Sequence, residues 1–100
     1  MKTDIQIPIN FYQEGDLVIA QSPALEIATQ GENFDIAKKN FEELLEIFFE
    51  ENDTNEKLEK VLLNCGWQKI ADKIEPPKEI ARVYQTVRLP IFAFNNLQTA

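Results

Sequence analysis

Apolar and polar residues alternate from the start of the chain. Ile5, Ile7, Ile9 and Phe11 fall on one side, with Gln6, Pro8, Asn10 and Tyr12 opposite. A period of two with β-branched members predicts a strand. Pro8 has no N–H to give to a ladder, which places that strand at a sheet edge or a bulge. Gln13-Glu14-Gly15-Asp16 supplies a turn, and residues 17–20 (LVIA) read as the returning strand of a hairpin. After Ser22-Pro23, residues 24–30 (ALEIATQ) predict a third short strand with Leu25 and Ile27 on one face.

The period then changes. Asn33 is a suitable N-cap, and from Phe34 the apolar positions Ala37, Phe41, Leu44, Leu45 and Phe48 are three or four apart, which defines one stripe of a helix. Ile36, Ile47 and Phe49 widen that stripe beyond what one contact needs, so either the helix sits between two layers or these residues are candidate contacts for a second copy of the chain. Thr54 can cap a second helix carrying Leu58, Val61 and Leu62, with Gly66 as its C′ residue and Trp67 folding back over its apolar side. Pro76-Pro77 rules out regular structure at that point. Residues 83–94 (VYQTVRLPIFAF) predict a late strand, interrupted near Pro90. The sum is α+β: a small antiparallel sheet in a β-β-β-α core, then a second helix and a late strand, with the sheet packed on the helices. One hundred residues support a single domain, in which residues 54–100 form a helix-plus-strand extension.

Chemistry narrows the function classes. Histidine is absent, which removes the usual general base and the commonest zinc ligand. Cys65 is the only cysteine, so no internal disulfide forms, and its position at a helix C-terminus lends no stabilisation to a thiolate. No phosphate-binding glycine run occurs. The expectation is a non-enzymatic protein with no cofactor and no bound metal. No eighteen-residue apolar run or leader pattern is present, and a reducing, cytoplasmic setting is expected.

The net charge of -7 disfavours nucleic acid as a ligand. From Glu42 to Lys60 eight acids face two bases, a local charge of -6. Glu42, Glu43, Glu46 and Glu50 share a flank of the first helix, and they are the candidate contacts for a basic protein partner. The same carboxylates, with Asp4, Asp16, Glu26, Asp35, Glu51 and Asp53, raise the alternative of a metal-dependent nuclease. A solvated helix face accounts for them more simply.

The stretch LVIAQSPALEIATQGENFDIAKKNFEELLEIFFE resembles the HicB antitoxin family, whose typical core runs YxAxxPDLPGCxTxGDTxEEAxxNxxEAIxxYL. Ala20, Pro23, Leu25, Thr29, Gly31, Ala37, Asn40, Glu43, Leu45 and Phe49 fall on matching positions, and Asn33 stands at the N-cap threonine. Glu26 stands where the family has glycine, Ile27 where it has cysteine, and Ile36 where it has glutamate. The likeness covers about residues 5–52. It implies a partial RNase H-like domain of three antiparallel strands, a helix and a further strand, often dimeric. It also implies an antitoxin-like role, binding a small basic HicA-type ribonuclease and covering its active site. Residues 54–100 show neither a helix-turn-helix nor a ribbon-helix-helix, so no specific DNA binding is expected. The other reading without catalysis is a stand-alone domain whose only partner is itself, as a homo-dimer or higher oligomer.

Overall fold

The hairpin forms as β1 (Asn10–Glu14) and β2 (Leu17–Ser22), which turn at Gly15 with φ +62°. A computed structural model describes residues 4–90. Asn10 pairs with Gln21 and Glu14 with Leu17. Residues 5–9, predicted to begin the first strand, lie outside this ladder. Pro8 cannot donate, and β2 has ended at Ser22, so nothing pairs with them. Ile7 and Ile9 still turn to the core, whereas Ile5 is exposed.

β3 (Ile27–Gly31) runs antiparallel to β2, with Ser22 opposite Ile27 and Val18 opposite Gly31, which completes a sheet of order β1-β2-β3. It begins three residues later than predicted, because Pro23, Ala24, Leu25 and Glu26 form a tight turn. The Glu26 N–H donates to the Ser22 carbonyl at 2.8 Å, and the Leu25 N–H donates to Ser22 Oγ at 3.2 Å. Those two bonds satisfy a serine that is wholly buried. Glu26 closes the turn at φ 56°, in the left-handed region.

Helix α1 (Phe34–Glu51) starts where predicted: Asn33 Oδ1 accepts from the Ile36 N–H at 2.9 Å. Helix α2 (Asn55–Asn64) is capped by Thr54 Oγ1, which accepts from the Lys57 N–H at 3.1 Å. It ends in a Schellman arrangement about Gly66 at φ +94°, where the Trp67 N–H donates to the Leu62 carbonyl and the Gly66 N–H to that of Leu63. A second, two-stranded sheet then follows, β4 (Gln68–Ile70) and β5 (Lys73–Glu75), with Ile70 opposite Lys73. The sequence pattern does not predict it. The late strand over 83–94 is corrected: residues 76–90 carry no strand, and 91–94 lie outside the described residues. The alternating pattern of residues 83–89 is present but has no ladder partner among the described residues.

Two clusters make the core. Ala20, Ala37 and Phe41 hold α1 on the sheet, and Ala24, Leu25, Leu62 and Trp67 join the β2–β3 turn to α2. Trp67 is a core aromatic, with Nε1 donating to the Ala24 carbonyl at 2.7 Å. The architecture is small α+β, a three-stranded antiparallel sheet with two helices and a two-stranded sheet beside them. No helix among the described residues is long and apolar enough to cross a membrane.

Candidate partner-binding surface

Helix α1 presents one face to the sheet and one to water. Successive residues turn by about 100°, so Glu42, Glu43, Glu46 and Glu50 fall within about 100° of arc. All four are exposed. Glu42 pairs with Lys38 at 3.2 Å, a solvent-exposed bond worth roughly 0.3–0.5 kcal/mol. Among the described residues Glu43, Glu46 and Glu50 enter no ion pair.

The apolar candidates Ile36, Ile47 and Phe49 do not form one patch. Ile36 and Ile47 lie on nearly the same line of the helix but about 16 Å apart along its axis. Phe49 lies about 160° from that line, on the far side of the acids, with its ring edge-on to Phe48 at 5.2 Å. The three are 39, 48 and 48 % exposed. The acidic band thus runs between two apolar borders, so partner and oligomer candidates belong to one surface.

The end of α1 sharpens this. Unpaired carbonyls give a helix C-terminus partial negative charge, which cations stabilise and anions do not. The last turn of α1 holds no basic residue, yet Glu50 and Glu51 stand in it and Asp53 follows. The neutral Asn52 amide donates to the Phe48 carbonyl at 2.8 Å, and Lys57 pairs with Asp53 at 3.5 Å, which leaves Glu50 and Glu51 without a cation among the described residues. Like charges therefore accumulate where the backbone itself is negative.

The residues on which the family resemblance rests serve the fold. A Cβ on Gly31 would lie 2.5 Å from the backbone nitrogen of Ala37 and 2.8 Å from Ile36 Cγ2. Asn40 Nδ2 donates to the Gln30 carbonyl at 2.8 Å, and Ala37 is fully buried. Glycine, alanine and asparagine at this spacing let α1 lie close on β3 and fix its rotation. Glu26 occupies a left-handed backbone position, a region that favours glycine.

Cys65 lies in the core boundary, its thiol donating to the Leu25 carbonyl at 3.6 Å. Burial, and then the charge of Glu26, raise the thiol above its ordinary value of 9.0. A thiol raised on folding contributes stability that is complete below its unfolded pKa and is lost as pH rises through the folded one. Glu26→Gly should relieve the strained φ and gain about 1 kcal/mol in urea unfolding. The midpoint of thiol-reagent reactivity against pH should fall toward 9.0 without reaching it, because burial persists. A loss of stability on this substitution would show that Glu26 makes a contact outweighing its backbone strain.

A shallow groove of about 360 Å³ lies between α2 and the β4–β5 hairpin, lined by Leu58, Leu62 and Ile74 with Glu59, Lys69 and Lys73. Lys69 crosses it to Glu59 at 3.3 Å. No group of three or more His, Cys, Asp or Glu among the described residues is placed to hold a metal ion. No family model, curated protein or solved structure matches the chain.

Proposed function

We propose that this chain is an antitoxin-like protein-binding domain that engages a small basic partner, of the HicA ribonuclease type, through the exposed flank of α1. The observation that carries this reading is the band of Glu43, Glu46 and Glu50, outside any ion pair among the described residues and running toward the negative end of α1, bordered by half-exposed isoleucines and phenylalanine. A protein gains no stability from that arrangement alone. A cationic partner turns the same field into attraction, and the apolar borders supply the desolvated contacts that a purely charged face lacks. The hairpin-and-helix order is the one that the HicB resemblance implies, and the close seat of Gly31 under Ala37 gives its matched positions a structural reason. A cytoplasmic setting accords with a partner of that kind.

The test is co-expression with the product of the adjacent reading frame, expected to be a small basic protein, followed by purification and titration at rising salt. Stable capture is expected, weakening as salt screens the acids. Glu43→Lys, Glu46→Lys and Glu50→Lys combined should weaken it by about 100-fold or more, as expected when charge pairs across an interface become repulsive. Unchanged helicity would show that α1 survives the substitution. Capture indifferent to both salt and charge reversal would place the partner elsewhere, and a neighbour that is not basic would remove the reading.

A further inference from the structure

Beyond β5 the chain leaves the core as an arm. Ile80, Val83, Tyr84, Val87 and Leu89 are 93, 79, 91, 69 and 62 % exposed, more than any other large apolar residue among those described. The radius of gyration, 17.9 Å, exceeds the ~13 Å of a compact chain of this length. Val83, Gln85, Val87 and Leu89 alternate with Tyr84, Thr86 and Arg88, the pattern of a strand with one apolar face. The arm's only side-chain bonds among the described residues are internal, Arg82 to Glu79 at 3.0 Å and Gln85 to the Thr86 carbonyl.

The core offers a matching edge. Among the described residues β1 pairs with β2 alone, so its other side carries N–H and C=O groups that none of them pairs. The opposite edge strand, β3, is already engaged by α1 through the Asn40–Gln30 bond. Charge agrees as well. Lys78, Arg82 and Arg88 against Glu79 give residues 78–100 a charge of +2, which leaves -9 on residues 1–77. Asp4 precedes β1 and Glu14 and Asp16 stand at its far end, so an arginine near either end of an added strand meets an acid.

We infer that residues 82–89 of one chain add as a fourth strand to the free edge of β1 in a second copy, reciprocally, to form a two-fold dimer. Within one chain the arm joins no ladder among the described residues and leaves its apolar face in water. A second copy supplies the same edge and receives the same arm, so one isologous contact covers both. Val83, Val87 and Leu89 share one face of each added strand, and with equal area beneath them they bury on the order of 1,200 Å² per dimer, the lower end of the range of stable interfaces. This dimer does not depend on any toxin-like partner.

The test is sedimentation of the full chain beside Val83→Asp/Val87→Asp. Both positions are exposed in the single chain, so the core should keep its circular dichroism and thermal transition. The native chain should sediment at twice the chain mass at micromolar concentration, and the variant at one. In a Cys65→Ser background, Tyr12→Cys chains mixed with Val87→Cys chains should give a heterodimer on treatment with a short bismaleimide. A native monomer, an aspartate variant that stays dimeric, or a dimer yielding no heterologous cross-link would each overturn the inference.

Discussion

Gly31→Ala should cost about 3 kcal/mol, the upper end of what overpacking a tight contact does. The added methyl meets backbone, not the far end of a side chain: it falls 2.5 Å from Ala37 N and 2.9 Å from Ala37 Cα. Helix α1 would have to lift from β3 by about 1 Å to restore ordinary contact. That movement loosens Phe41 and Ala37 from Ala20 and stretches the Asn40 bond to Gln30. The smaller unfolded-chain entropy that alanine brings, worth roughly 0.4–1 kcal/mol, does not offset it. Gly15→Ala is the control, for its Cβ meets nothing within 4 Å and only its φ of +62° is strained. It should cost about 1 kcal/mol. Urea unfolding at constant m-value reads both, and similar midpoints for the two variants would refute the steric account.

Trp67→Ala should cost about 3–5 kcal/mol, the range for truncating a buried large aromatic. It would empty the space between the Ala24–Leu25 turn and α2, and leave the Ala24 carbonyl without its 2.7 Å donor. Trp67→Phe separates the two contributions, restoring most of the apolar volume but not the N–H. Its cost should be about 1–3 kcal/mol, set by an unsatisfied buried carbonyl. Because Trp67 is the only tryptophan, the helical signal at 222 nm must follow both transitions. A phenylalanine variant as damaged as the alanine variant would mean that the hydrogen bond, not packing, holds this junction.

Much of this fold is legible in the sequence because its signals are local. Asn33, Thr54 and Gly66 each bond to backbone two to four residues away, and the cap chemistry is written in those few positions. The stripe through Ala37, Phe41 and Phe48 states which face of α1 is buried. What escapes is decided at longer range or by unusual backbone. β4 and β5 have three residues each and turn through Ala71 at φ 56°, where glycine or asparagine would have advertised a hairpin. Leu25 and Ile27 look like neighbours on one strand, yet Glu26 bends the chain between them, and both reach the core from different elements. Residues 83–89 have the alternation of a strand, but alternation supplies no partner, and a strand exists only in a ladder. The spacing of Glu42, Glu43, Glu46 and Glu50 sets their common flank once α1 is a helix, and all four are exposed. That Phe49 and Ile47 fall on opposite sides of that flank follows from helix geometry and was hidden by their closeness in sequence.

The two core clusters have members in common, for Ile27 and Leu45 touch both. Neither cluster can therefore be exposed to solvent without stripping contacts from the other. Ile27 and Leu45 thus couple the sheet and α1 to α2 and the Trp67 junction, and the two halves should open together as one unit. Amide protons of β2 and of α1 around Phe41 should share the protection of those near Leu62. The arm beyond Pro77 stands outside that unit, and its amides exchange on their own schedule until a ladder claims them.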